Sequence, residues 1–209
     1  MTSKHNSRKR VVIGISGASG AILGIEALKL FRSLTGYETH LIISSGAALT
    51  IPLETSYNLK EVMALADHCH DNANIGAAVA SGTFRTVGML VIPCSMKTVA
   101  GIAAGFSTNL LLRAADVTLK EARPLVLMPR ECPLGIIHLR NLLSVAEAGA
   151  TIVPPMVTYY NGPTSLADMN LHLLGKALGR LGIDVPGMKR WGEDEEQGEH
   201  SGSKLPSRA

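Results

Sequence analysis

At 209 residues and a formal net charge of only +3, the chain is sized for one ordinary domain and presents no general electrostatic case for nucleic acid. Hydrophobic residues make up 46% and charged residues 18%, which leaves little charge to cover a monomer and points to self-association through exposed apolar area. Cys69, Cys94 and Cys132 form no CxxC pair and read as reduced thiols of a cytoplasmic protein. The apolar run after the basic start MTSKHNSRKR is interrupted by Gly14, Ser16 and Gly17, too early for a signal peptide or a membrane span.

Residues 1–9 read as a flexible arm, 10–188 as one domain, and 189–209 as a polar tail. Within the domain, five hydrophobic runs predict strands: VVIGI (11–15), HLII (40–43), MLVI (89–92), LVLM (125–128) and TIV (151–153). Between them, apolar spacing predicts helices over 21–34, 99–104, 109–122, 136–148 and 165–181, with shorter ones over 47–51 and 59–66. Gly149 sits where a helix C-cap is expected. Strands alternating with helices predict an α/β fold with a doubly wound, mainly parallel sheet in three layers, Rossmann-like or flavodoxin-like. In such a sheet the carboxyl ends of the strands share one edge, so the turns that follow them converge on one crevice.

Those turns hold most of the chemically useful side chains. Gly14-Ile15-Ser16-Gly17-Ala18-Ser19-Gly20 lies between a strand and a helix, where free backbone N–H groups favour an anion. It departs from G-x-G-x-x-G at two glycine positions, and Ser44 and Ser45 stand where a ribose-binding acid is expected. With no Walker A motif either, the combination favours a mononucleotide such as FMN over NAD or ATP. Ser95 offers a hydroxyl at a third strand end.

Two charged groups stand out. Arg113, Asp116 and Lys120 fall at i, i+3 and i+7 on one helix face, amid residues apolar enough to predict substantial burial. Pro129-Arg130-Glu131 closes a core strand, setting a guanidinium suited to phosphate beside a carboxylate able to move a proton. Asp67-His68-Cys69-His70-Asp71 looks like a metal cluster, but on a helix His68 and His70 diverge, so no metal is expected there. Cys94 and Cys132 flank the crevice without a histidine placed to activate them.

Several segments together carry a family resemblance: GISGASG, IISS, Leu53-Glu54-Thr55, PCSMKT, LLRAADVTLKEARPLVLMPRE, Ile137-His138-Leu139, residues 154–163, and Lys189-Arg190-Trp191-Gly192. In this order, from Arg10 to Trp191, the chain resembles the UbiX-type flavin prenyltransferases, the family that includes the phenylacrylic acid decarboxylases. The resemblance implies joining of a dimethylallyl group, from dimethylallyl monophosphate, to N5 and C6 of reduced FMN without a metal. Prenylated FMN is then the product, used by UbiD-type decarboxylases, and the protein is a homo-oligomer, often a dodecamer.

Carried over by position, Gly17, Ala18, Ser19, Ser44, Ser95, Met96, Thr98 and Arg113 are the implied FMN contacts. Lys120, Arg130, Tyr160 and Lys176 are the implied holders of the prenyl phosphate, and Ser19, Glu54 and Glu131 the implied catalytic residues. Trp191 is similar to the family tryptophan near the site. Lys176 stands where some relatives carry arginine, which changes the shape of a phosphate contact. Two other readings share the fold: a non-catalytic flavin subunit of a hydroxyarylic acid decarboxylase complex, and an FMN-dependent cysteine decarboxylase. The second is disfavoured by PCSMKT where that family has Pro-Ala-Ser-Ala-Asn-Thr.

Overall fold

A computed structural model describes residues 8–190. The first half runs β1 (Lys9–Ile15), α1 (Ala21–Ser33), β2 (Tyr37–Ile43), α2 (Ser45–Glu54), α3 (Leu59–Met63) and β3 (His68–His70). After a 3-10 turn at Ala78–Ala80, the second half runs β4 (Met89–Cys94), α4 (Met96–Ala103), α5 (Leu110–Lys120), β5 (Leu125–Pro129), α6 (Ile136–Glu147), β6 (Thr151–Ile152) and α7 (Leu166–Gly179). The strands form one parallel sheet in the order β3-β2-β1-β4-β5-β6. This is the Rossmann order, and the direction of winding reverses between β1 and β4, which opens a crevice at their carboxyl ends.

Alternation along the strands sorts the core into two layers. Val11, Ile13, Ile15, Leu90 and Ile92 pack with the buried faces of α1 and α7, while Val12, Ile42, Met89 and Val91 pack with α4 and α5. Because helices cover both faces, β4 and β5 are buried at every position, as parallel strands are. Gly24 lets α1 lie close on β4, for a Cβ there would stand 2.6 Å from the Ile92 carbonyl oxygen. Gly149 has φ 101°, the left-handed conformation expected of a residue that ends a helix.

The three-layer parallel architecture agrees with the sequence expectation, while several local features differ, among them the following. β1 begins at Lys9, ahead of the apolar run, since its first residues pair in register with Tyr37 and Glu38. α2 continues through Pro52 to Glu54 rather than stopping before the proline. Proline removes one donor, but the helix closes beyond it as the Thr55 N–H donates to the Ile51 carbonyl at 3.0 Å. Residues 68–70 form an edge strand instead of a helical segment, pairing His40 with His68 and Ile42 with His70. A strand this short and polar has no hydrophobic alternation to betray it, and such strands suit sheet edges. The arm up to residue 7 and the tail from Trp191 onward lie outside the described residues.

Candidate functional site

The turns after β1 and β4 are stitched together by Ser16, whose buried hydroxyl donates to the Pro93 carbonyl at 3.0 Å and accepts from the Ser95 N–H at 2.7 Å. This serine replaces a glycine of the dinucleotide pattern and serves as a cross-strand tie. Beside it, Gly17 meets the turn after β2 so closely that a Cβ on it would lie 2.8 Å from Gly46 Cα. Three helices then start at one place. Ser44 caps α2 by accepting from the Ala47 N–H at 3.1 Å, Ser95 caps α4 by accepting from the Thr98 N–H at 3.3 Å, and Asn109 caps α5 by accepting from the Leu112 N–H at 3.0 Å.

All three caps line a single cavity of about 540 Å³, together with Gly17, Thr98 and Asn72. Its other wall is apolar, formed by Ala104, Phe106, Leu111 and Leu112. A size in the range of ligand pockets, an apolar wall, and a few convergent polar groups at three helix N-termini suit an aromatic ligand with an anionic end. The cavity therefore fits a flavin mononucleotide by size and by the chemistry of its lining.

The first turn departs from the expectation of an open anion seat. Glu54, at the end of α2, reaches the start of α1, and its Oε2 accepts from the Gly20 N–H at 2.8 Å and the Ala21 N–H at 3.2 Å. Gly20 brings no side-chain cap of its own, so the carboxylate of Glu54 takes the place a phosphate would occupy at this helix. Burial pushes the Glu54 carboxyl up. Hydrogen bonds from Gly20, Ala21 and the Ser19 hydroxyl, with the charge of Arg130, outweigh it and hold the group below its usual range. Ser19, Glu54 and Arg130 are thus one electrostatic group, drawn from three separate segments of the chain. Arg130 is fixed there by its backbone, whose N–H donates to the Cys94 carbonyl at 3.1 Å across β4 and β5.

Other expected residues fall in different places. Ala18 is nearly buried, and the Met96 side chain packs into the core beneath α4 instead of lining the cavity. Arg113 and Asp116 form an ion pair at 2.5 Å with both side chains 38% exposed, so the predicted burial of this charged face is not found. Lys120 lies at the far end of α5, paired with Glu121 at 2.6 Å and close to Gly82. That is the amino edge of the sheet, since α5 runs from its cap at the cavity back toward the start of β5; within one chain Lys120 is not brought to Arg130. Glu131 is exposed, its Oε1 accepting from the Cys132 N–H at 3.1 Å.

Tyr160 and Lys176 form a further group around His172. The Tyr160 hydroxyl lies 3.4 Å from His172 Nε2, and Lys176 follows one helical turn later on α7. Burial, with the nearby charge of Lys176, lowers the His172 pKa and keeps the ring neutral. Burial also pushes the Cys94 thiol far up, which suits packing rather than nucleophilic attack. Trp191 lies outside the described residues. Sequence reasoning missed Asn72, Asn109 and Phe106 in the cavity wall; only Asn109, just ahead of a helical pattern, carried the signal of a cap.

Comparison with known proteins accords with this geometry. A family model described as Flavoprotein matches residues 1–171. A probable UbiX-like flavin prenyltransferase of Sedimentibacter hydroxybenzoicus is 50% identical over 182 residues, covering 87% of this chain and 96% of the relative. The dodecameric FMN-dependent UbiX-like decarboxylase of Escherichia coli O157:H7 superposes with a TM-score of 0.85 at 48% identity, covering 87% of this chain and 98% of that one. AnUbiX (PadA1), solved in complex with FMN and dimethylallyl pyrophosphate, superposes with a TM-score of 0.86 at 46% identity, covering 88% and 98%. A chain 46–50% identical to such relatives over 87–88% of its length belongs to the UbiX-type flavin prenyltransferases of the flavoprotein family.

Proposed function

We propose that this protein joins the dimethylallyl group of dimethylallyl monophosphate to N5 and C6 of reduced FMN, releasing phosphate and prenylated FMN. The observation that carries the reading is the cavity walled by three capped helix starts, which lies on the same sheet edge as the Ser19, Glu54 and Arg130 group. Gly17, Ala18, Ser44, Ser95, Thr98 and the backbone of Met96 are assigned to the flavin, and Arg113 to its outer margin. Reduced FMN supplies the electron-rich nitrogen and carbon to which the allyl group is joined.

The protein's part is to make phosphate a competent leaving group and to keep water out. Arg130, Lys176 and the Tyr160 hydroxyl hold the phosphate, meeting with fixed charge the negative charge that grows as the allylic carbon–oxygen bond breaks. Phe106, Leu111 and Leu112 keep the cavity dry, because water would trap an allylic cation. Glu54, held ionised, orients the Ser19 hydroxyl, while Glu131 moves the proton that ring closure demands. A phosphate held by lysine and arginine fits a monophosphate donor without a bound magnesium ion. Lys120, at the opposite edge of its own sheet, reaches a phosphate only in a neighbouring copy, which ties the activity to a homo-oligomer, assigned as a dodecamer. The product's chemistry assigns a UbiD-type decarboxylase as the functional partner.

The test is to incubate the protein with reduced FMN and dimethylallyl monophosphate and to follow the flavin by mass. A prenyl mass gain is expected, and it slows severely in Glu131→Gln while flavin binding persists. Bound flavin that never gains mass would overturn the transferase reading in favour of a flavin-carrying subunit of a hydroxyarylic acid decarboxylase complex.

A further inference from the structure

The edge strand absent from the sequence reading assembles a group of side chains that the flavin chemistry does not use. β2 and β3 are parallel neighbours with His40 opposite His68, and Glu38 lies two residues before His40, so all three project from the same face of the sheet. Glu38 Oε1 is 3.0 Å from His40 Nε2 and 3.4 Å from His68 Nε2, and the three atoms all lie within 4.8 Å of one another. We propose that Glu38, His40 and His68 form a binding site for one divalent transition-metal ion of the zinc class, with the fourth position open to water.

The spacing carries the argument. A tetrahedral zinc ion with bonds of about 2.0–2.1 Å sets its donors about 3.4 Å apart, within a few tenths of an ångström of the separations from the carboxylate to both rings. One carboxylate oxygen and two imidazole nitrogens favour zinc, nickel or copper over magnesium or calcium, which take oxygen donors. The donors are also held in place. The His40 and His68 rings stack at 4.7 Å between centroids, and the edge of Phe84 closes the other side of His40 at 5.0 Å.

His40 Nδ1 lies 3.0 Å from His70 Nε2. With the proton on Nδ1, His70 fixes the tautomer that leaves His40 Nε2 free to bind metal, as outer-sphere partners of ligating histidines do. Arg10 also faces the carboxylate, 3.5 Å away and seated on the Phe84 ring. His40 is nearly buried, whereas the His68 side chain is 53% exposed, which gives an ion its route in.

An ion here has a structural role. β3 is only a three-residue strand, and just beyond it Asn72 holds the start of α5, its carbonyl accepting from the Leu110 N–H at 2.8 Å and its Oδ1 from the Leu111 N–H at 3.0 Å. Tying His68 to β2 through a metal therefore stiffens one wall of the flavin cavity.

The experiment uses the tag-free, chelator-treated full chain, titrated with zinc by calorimetry, with metal content measured after gel filtration. One zinc per chain is expected at micromolar free zinc in excess magnesium, together with a higher melting temperature of the flavin-free protein. His68→Asn weakens binding roughly tenfold or more, while Cys69→Ser, whose side chain faces the other side of the strand, leaves it unchanged. Cobalt bound to the unaltered protein shows the intense visible absorption of a four-coordinate ion, a readout that needs no variant to fold. Failure to retain zinc, unaltered binding in His68→Asn, or loss of binding in Cys69→Ser each overturns the site. None of these outcomes depends on prenyl transfer, so the flavin reading stands or falls separately.

Discussion

Glu54 shows how one side chain replaces both a helix cap and a ligand. It satisfies the Gly20 and Ala21 N–H groups, which otherwise have no partner from Gly20 itself. Replacing it with alanine leaves both donors without an acceptor at a helix start, a loss of about 1 kcal/mol, read as a lower urea midpoint at neutral pH. The difference depends on pH with a definite sign. The folded carboxyl ionises at lower pH than in the unfolded chain, so its contribution is present above about pH 4.3 and fades as pH falls through the lower folded value. The unaltered protein and Glu54→Ala should therefore converge in stability under acid; a constant gap down to low pH would mean that the carboxylate charge does not matter. Ser19, Ser44 and Ser95 were legible in the sequence because a small polar residue after a buried strand can only lie at the sheet edge. The exposure and placement of Arg113 and Lys120 were not. Spacing puts them on one helix face, but it says nothing about how deep that face lies or which end of the helix meets the ligand.

At the scale of elements, the site depends on how tightly the turns after β1 and β2 approach. Gly17 and Gly46 touch backbone to backbone, and the two turns carry Ser19 on one side and Ser44 on the other. In Gly17→Ala the new methyl has no flexible side chain to displace, so the turns must part. The expected outcome is a destabilisation on the order of 1–3 kcal/mol and a flavin affinity that falls more than this loss accounts for. Fluorescence titration with FMN checks it, and unchanged affinity would place the flavin away from these turns. The existence and parallel sense of β1, β2, β4, β5 and β6 were readable because each strand is an apolar run set between helical patterns. β3 was not, since its residues His68, Cys69 and His70 lack any apolar signature and gain their conformation from pairing with β2. The continuation of α2 past Pro52 was hidden for a related reason: a hydrogen bond made beyond the proline decides it.

At the scale of the whole molecule, the surface of a single chain is too apolar in one region to be final. α6 buries Val145 fully, while Ile136, Ile137 and Leu143 are 62%, 68% and 60% exposed, and Met156 and Tyr159 after β6 are 70% and 74% exposed. Exposed apolar area of this kind suits contact with another protein surface. A relative of 48% identity is a dodecamer, and a second copy of this chain is the proposed partner. The double variant Ile137→Glu with Leu143→Glu places two charges on that face without touching the cavity wall. Light scattering is expected to show a shift from the assembled mass to smaller species, with flavin binding retained because the cavity is built within one chain. Prenyl transfer should fall roughly a hundredfold, the usual consequence of losing one fixed group that meets developing charge, because Lys120 sits at the edge of the sheet opposite its own cavity. If the dissociated chains transfer the prenyl group at the full rate, Lys120 has no part in holding phosphate and each chain's site is complete by itself.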